Sequence, residues 1–128
     1  MQNFQNKTLD IHDLQYNFDY DLFNKFLQLL EHEYNKHIDI KFYAEKLKTS
    51  VRELSLISVR YSGKTPKKMI TYRRIIEAKR ILLYEQESIK TIADMLGFHN
   101  QFQFSKFFKE NTGVSPLYFR LQNKKKII

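Results

Sequence analysis

Four histidines, fourteen acidic residues and no cysteine bound the chemistry open to this 128-residue chain. Without cysteine there is no thiolate zinc site, no thiol nucleophile and no disulfide-stapled scaffold. His32-Glu33 followed by His37 looks like the start of a zinc-protease helix, but its histidines are five apart. Two ligands on one helical face need a spacing of about four. His12 and His99 stand alone, His99 beside a candidate reading helix where it would meet phosphate or solvent. The three glycines are too scattered for a phosphate-cradling loop. Acidic residues in the second part of the chain are dispersed, so neither a paired-carboxylate nor a two-metal nuclease site is supported. Asn6-Lys7-Thr8 is a glycosylation sequon by pattern, without consequence in a cytoplasmic protein. Phe102, Phe104, Phe107 and Phe108 could form a base-stacking platform. At helical spacing they read as core, with Phe102 left on the surface. The sequence reads as a non-enzyme without cofactor or metal.

What remains is positive charge. Lys and Arg number 22 against 14 Asp and Glu, a formal net charge of +8 with a pI near 9.6. The excess is uneven: residues 1–47 carry a net −3 and residues 48–128 a net +11. A basic stretch of that size suits a polyanion, with nucleic acid first, an anionic membrane surface second and a merely solvated basic face as the plain alternative. No apolar run approaches the ~18–20 residues that cross a bilayer, and no signal-peptide pattern opens the chain. With 42% of its residues apolar and 15% aromatic, the chain has material for one modest core. A soluble, cytoplasmic, single-domain protein is expected.

These cations need elements to position them. Only three Gly and two Pro interrupt the chain, which favours helices over a many-turned β architecture. Residues 1–18 are polar and weakly periodic and read as a leader or linker. A helix starting at Asp19 or Asp21 places Leu22, Phe26, Leu29 and Leu30 on one face. Asp39 caps a short helix with Ile40, Ala44 and Leu47 apolar. Ser50 and Glu53 match a capping box for a helix that runs to about Tyr61 and stops at Gly63. Thr65-Pro66 starts a helix of about 19 residues to Tyr84, roughly 28 Å long. Ser88 caps a helix over 89–96, Asn100 and Gln103 open another that stops at Gly113, and Ser115-Pro116 opens the last. Residues 122–128 read as a basic, frayed tail. The fold expected is all-α with seven helices.

An internal repeat organises them. Ile40, Ala44 and Leu47 recur 49 residues later as Ile89, Ala93 and Leu96. The offset then becomes 50, taking Leu54 to Phe104, Ile57 to Phe107, Gly63 to Gly113 and Pro66 to Pro116. Two units, about 39–62 and 88–112, are thus joined by a linking helix over 66–84. Each is a short helix, a tight turn and a longer helix, with a small alanine allowing close crossing. That is the helix-turn-helix plan, whose second helix enters the major groove and presents its outward side chains to base edges. With Leu54 and Ile57 inward, Arg52, Ser55, Leu56 and Val59 face outward. In the second unit the outward set is Gln101, Phe102, Ser105, Lys106 and Lys109. Phosphate grip is expected from Lys48, Arg60, Lys64, Lys67, Lys68 and Lys109. Arg73, Arg74, Lys79 and Arg80 are equally placed for phosphate or for ion pairs within the domain. A linker of roughly 28 Å falls a little short of the ~34–36 Å helical turn between successive major grooves, so the duplex bends or one groove is engaged incompletely.

The chain from about Leu22 to Arg120 resembles the DNA-binding domain of AraC-type (arabinose-regulator-like) transcription factors. The resemblance is carried by Arg74-Ile75, Ala78 and Leu82, then Ser88-Ile89, Ile92-Ala93 and Gly97-Phe98. Phe104-Ser105-Lys106, Phe108-Lys109, Thr112-Gly113-Val114-Ser115-Pro116 and Phe119-Arg120 complete it. It implies a domain over 19–121 of seven helices, two helix-turn-helix subdomains bridged by a long helix. Base contacts would carry over to Arg52, Ser55 and Leu56 in the first unit and to Gln101, Phe102, Ser105 and Lys106 in the second. The first unit departs from the pattern: Ser58 stands where a buried Phe is usual, and Leu56 where an Arg is common. Readout there then rests on Arg52, with Leu56 and Val59 touching thymine methyls. Double-stranded promoter or operator DNA is the partner implied, with RNA polymerase and an N-terminal sensor or dimerisation domain as further ones. The chain reads as a stand-alone regulator or the DNA-binding half of a longer one, the half being favoured. The competing reading is an interaction module whose acidic first helix contacts such a partner, with non-specific DNA binding secondary.

Overall fold

The computed structural model describes residues 11–127. Among them are seven helices: α1 (Ile11–Glu33), α2 (Ile40–Lys46), α3 (Val51–Ser62), α4 (Pro66–Tyr84), α5 (Ile89–Met95), α6 (Gln101–Thr112) and α7 (Pro116–Ile127). From α2 onward the helix starts lie where the local capping signals put them. Asp39, Ser50, Thr65, Ser88 and Asn100 each accept the backbone N–H two or three residues on, satisfying one of the donors a helix start leaves open. At α6 the return bond from Gln103 goes to the His99 N–H at 2.8 Å, one residue earlier than a capping box places it.

Both chain ends differ from expectation. α1 begins by Ile11, so residues 11–18 are helix rather than leader; residues 1–10, with the sequon, lie outside the described residues. The apolar residues of this stretch, Ile11, Leu14 and Phe18, are exposed and leave no trace in a core pattern. Asp19 is no N-cap: its side chain is buried in mid-helix and accepts a 2.7 Å bond from Arg60 of α3. At the other end α7 runs to Ile127, so the basic segment from 122 is helix and not a frayed tail.

The repeat holds down to single hydrogen bonds. Leu47 N–H to Tyr43, Lys48 N–H to Glu45 and Thr49 N–H to Ala44 recur as Leu96 to Ile92, Gly97 to Asp94 and Phe98 to Ala93. Ser62 Oγ donates to the Ser58 carbonyl at 2.6 Å, and Thr112 Oγ1 to that of Phe108 at 2.8 Å. Ala44 and Ala93 are both buried, letting the helices of each unit cross closely. One continuous core joins the units, with Phe26 and Leu30 of α1, Tyr43, Leu54, Ile70, Ala78, Ile81 and Leu82, then Ile92, Leu96, Phe104 and Phe108. α1 packs on α3 in the first unit, and α7 packs on α4 and α6 in the second.

Ser58 resolves its own departure. Its buried hydroxyl donates to the Lys64 carbonyl at 2.6 Å and lies 3.1 Å from Met69 Sδ. The hydroxyl ties the end of α3 to the turn before α4.

Candidate nucleic-acid interface

The outward faces of α3 and α6 are the candidate surface, and the packing behind them fixes their orientation. α3 buries Leu54, Ile57 and Ser58, which turns Arg52, Leu56 and Val59 to solvent and leaves Ser55 half-buried. α6 buries Phe104 and Phe108, with Phe107 partly covered, and exposes Phe102, Lys106 and Lys109. Gln101 and Ser105 are half-buried at the base of that face. Phe102 is 75% exposed, an unusual burden for a phenyl ring.

The cations divide into free and engaged. Lys48 is exposed in the turn of the first unit. Lys67 and Lys68 are exposed in the first turn of α4, and Lys64 just before it lies over the Tyr72 ring at 4.6 Å. Lys109 is exposed in the last turn of α6. Arg60 is half-exposed but held by the buried Asp19 carboxylate, so any phosphate competes with an internal partner.

On α4 the equal choice between phosphate and internal pairing resolves inward. Arg73 makes two bonds to Glu31 at 2.8 and 2.7 Å, which pin α4 to α1. Arg80 is bidentate on Glu77 and reaches Glu85 at 2.9 Å. These guanidinium bonds hold the Glu31 and Glu77 carboxyls below their ordinary pKa. Arg74 is buried, lies 4.2 Å over the Phe98 ring and donates to the Leu96 carbonyl in the second-unit turn. Desolvation pushes its pKa down to about 10, so it remains a cation at neutral pH. Lys79 lies over Phe119 at 5.7 Å.

Two features escaped sequence reading because they join elements the repeat does not relate. Asn111, from the end of α6, lines a shallow basic hollow with Lys64, Lys68 and Tyr72 at the start of α4. Lys67 and Lys106 line one hollow of about 410 Å³ between α4 and α6, bringing a phosphate candidate beside a base-reading one. Among the described residues no group of three His, Asp or Glu is gathered as a metal site, and no helix is long and apolar enough to cross a membrane.

A family model described as a helix-turn-helix domain matches residues 43–122, both units and the helix between them. The chain belongs to the AraC-type helix-turn-helix family. Among AraC-type relatives it is 32% identical over 98 residues to the raffinose operon transcriptional regulatory protein RafR of Pediococcus pentosaceus. It is 30% identical over 95 residues to the transcriptional activator RhaS of Mannheimia succiniciproducens. These alignments cover 77% and 74% of this chain but 35% of each relative, so the chain matches about a third of their length. In architecture it is similar to the C-terminal domain of AraT, a response regulator from Geobacillus stearothermophilus (TM-score 0.74, 26% identity, 79% of this chain and 84% of that one). The DNA-binding domain of AdpA, solved in complex with a target DNA, shares the fold (TM-score 0.72, 21% identity, 81% of this chain and 94% of that one). The chain is thus an AraC-type domain with the all-α, double helix-turn-helix architecture expected from its sequence.

Proposed function

We propose that this domain binds double-stranded DNA sequence-specifically, α3 and α6 reading successive major grooves of a promoter or operator in the cytoplasm. The observation that carries it is the double occurrence of one face: two helices in equivalent settings, each with its outward side chains unspent on the core and cations at its rim. Arg52, Ser55 and Leu56 read one groove; Gln101, Phe102, Ser105 and Lys106 read the other. Lys48, Lys64, Lys67 and Lys109 grip phosphates, and Arg60 joins them only on leaving Asp19. Base edges in the major groove distinguish all four base pairs, whereas phosphate contacts set register and affinity. RNA polymerase and an N-terminal sensor or dimerisation domain are the protein partners this role implies, and the domain carries no catalysis of its own.

Selection from a random duplex library at two salt concentrations tests the reading. Enrichment of two blocks about one helical turn apart supports two reading helices. On the enriched duplex, Gln101→Ala and Lys106→Ala each weaken binding by about 1–3 kcal/mol and relax the preference. Lys64→Ala weakens specific and random duplexes alike and lowers the salt slope by about one. Equal losses on both duplexes for all three variants would instead favour an interaction module with charge-driven DNA binding, for which the exposed Ile11 and Phe18 of α1 are the feature on offer.

A further inference from the structure

We infer that α3 recognises its half-site through thymine methyl groups; this rests on the duplex-reading function proposed above. The 50-residue offset pairs Leu56 with Lys106, Val59 with Lys109 and Val51 with Gln101. At each pair the first unit is aliphatic where the second is cationic or amide-bearing. The aliphatic side chains are not core: Leu56 is 55% exposed and Val59 47%, while Leu54, Ile57 and Ser58 complete the buried side of α3. At about 100° per residue, Arg52, Leu56 and Val59 fall within about 60° of arc. They form one strip, continuous with the proposed reading face.

Such a strip has one match in a major groove. A branched aliphatic side chain donates and accepts nothing, and the thymine C5-methyl is the one apolar group that base-pair edges present there. Arg52, without an ion pair among the described residues, stands one turn from Leu56 with its fork free for a guanine. The electrostatics agree. Arg60, the cation in the last turn of α3, is tied to Asp19, whereas Lys106 and Lys109 on α6 have no ion pair among the described residues. On α6 the free cations Lys106 and Lys109 stand on the reading face itself, whereas Lys48 and Lys64 flank α3 and reading along its strip beyond Arg52 is methyl-dependent.

Replacing thymine by uracil deletes the methyl alone. On the duplex enriched by selection, uracil is placed in one block at a time, and affinity is measured for the full chain and for Leu56→Ala. That residue is exposed and its loss leaves the core intact, which unchanged thermal unfolding verifies. Uracil in the α3 block weakens the unaltered chain about fourfold per contacted methyl, the equivalent of one buried methyl group. The loss is the same at both salt concentrations and shrinks in Leu56→Ala, which leaves the Val59 contact; any uracil loss in the other block, where Phe102 is the apolar reader, is unchanged in that variant. No uracil effect in the α3 block, or one undiminished in Leu56→Ala, overturns the inference while sequence-specific binding stands. A selection that returns no site overturns the duplex-reading function itself, and this inference with it.

Discussion

Lys48 has a φ of 57°, the left-handed conformation that its repeat counterpart Gly97 adopts at 80°. For a residue with a Cβ this backbone costs about 1 kcal/mol, and glycine would avoid it. A lysine tolerated at such a position, exposed beside the reading face, points to a use for its charge rather than to folding. Lys48→Gly is accordingly expected to raise unfolding stability by about 1 kcal/mol, partly offset by the freer unfolded chain. The same variant should weaken binding to specific and random duplexes alike, by one phosphate contact. Thermal unfolding and a salt titration check the two halves; a variant both less stable and equally avid would show that Lys48 serves the turn. Ser58 teaches a related lesson. A polar residue in a core position reads from sequence as a packing fault, and only the nearby Lys64 carbonyl and Met69 sulfur make it a tie.

Among the elements, α4 has the most to hold. Glu77 sits between Arg73 and Arg80, Arg73 reaches across to Glu31 on α1, and Arg80 reaches on to Glu85. The bonds from Arg80 hold the Glu77 carboxyl below the 4.5 it has in an unfolded chain. Between its folded pKa and 4.5 the unfolded chain binds the extra proton, so the pairing stabilises fully above 4.5 and is lost as pH falls through the folded value. Glu77→Gln should thus cost about 1 kcal/mol at neutral pH, as exposed networks of this kind do. Unfolding measured near neutrality and again in acid should show the gap between variant and parent closing. A gap that persists in acid would mean that Glu77 acts through packing. The bounds of α4 were legible because Thr65, Pro66 and the run of helix formers are local signals. Those of α1 were not, since its first two turns have no buried stripe and its true anchor, Arg60, lies 41 residues away.

For the whole molecule the decisive quantity is how rigidly the two units are spaced. Gly97 bears on it directly: a Cβ there would run into the Asn35 carbonyl of the turn after α1, and the Arg74 guanidinium lies beside it. The turn after α1 and the second unit's turn therefore meet in a close backbone approach, backed by the Arg74 bond to Leu96. Gly113 has a similar backbone, but a Cβ there meets nothing within 4 Å. Gly113→Ala should lose about 1 kcal/mol, the left-handed penalty alone, and Gly97→Ala at least about twice that. Gly97→Ala should also lose most of the advantage of a two-block duplex over a one-block duplex, while Gly113→Ala keeps it. Comparing both variants on both duplexes tests whether this contact sets the spacing; equal behaviour would show that α4 alone sets it.

Interactions that span a few residues are written in the chain itself. Capping side chains, Pro66 and Pro116, the glycine stops and the periodic apolar stripes marked six of the helix starts, and their recurrence at offsets of 49 and 50 disclosed the two units and their outward faces. Each such signal acts within about one or two helical turns, so no knowledge of the rest of the fold is needed to read it. Which cations are free was decided only by tertiary structure. Arg60 and Arg73 look like any other cation in sequence, yet each is claimed by a carboxylate on α1, and Arg74 is buried on a phenyl ring. A guanidinium reaches whatever folding brings within a few ångströms, and pairing of that kind depends on positions in space rather than on positions along the chain.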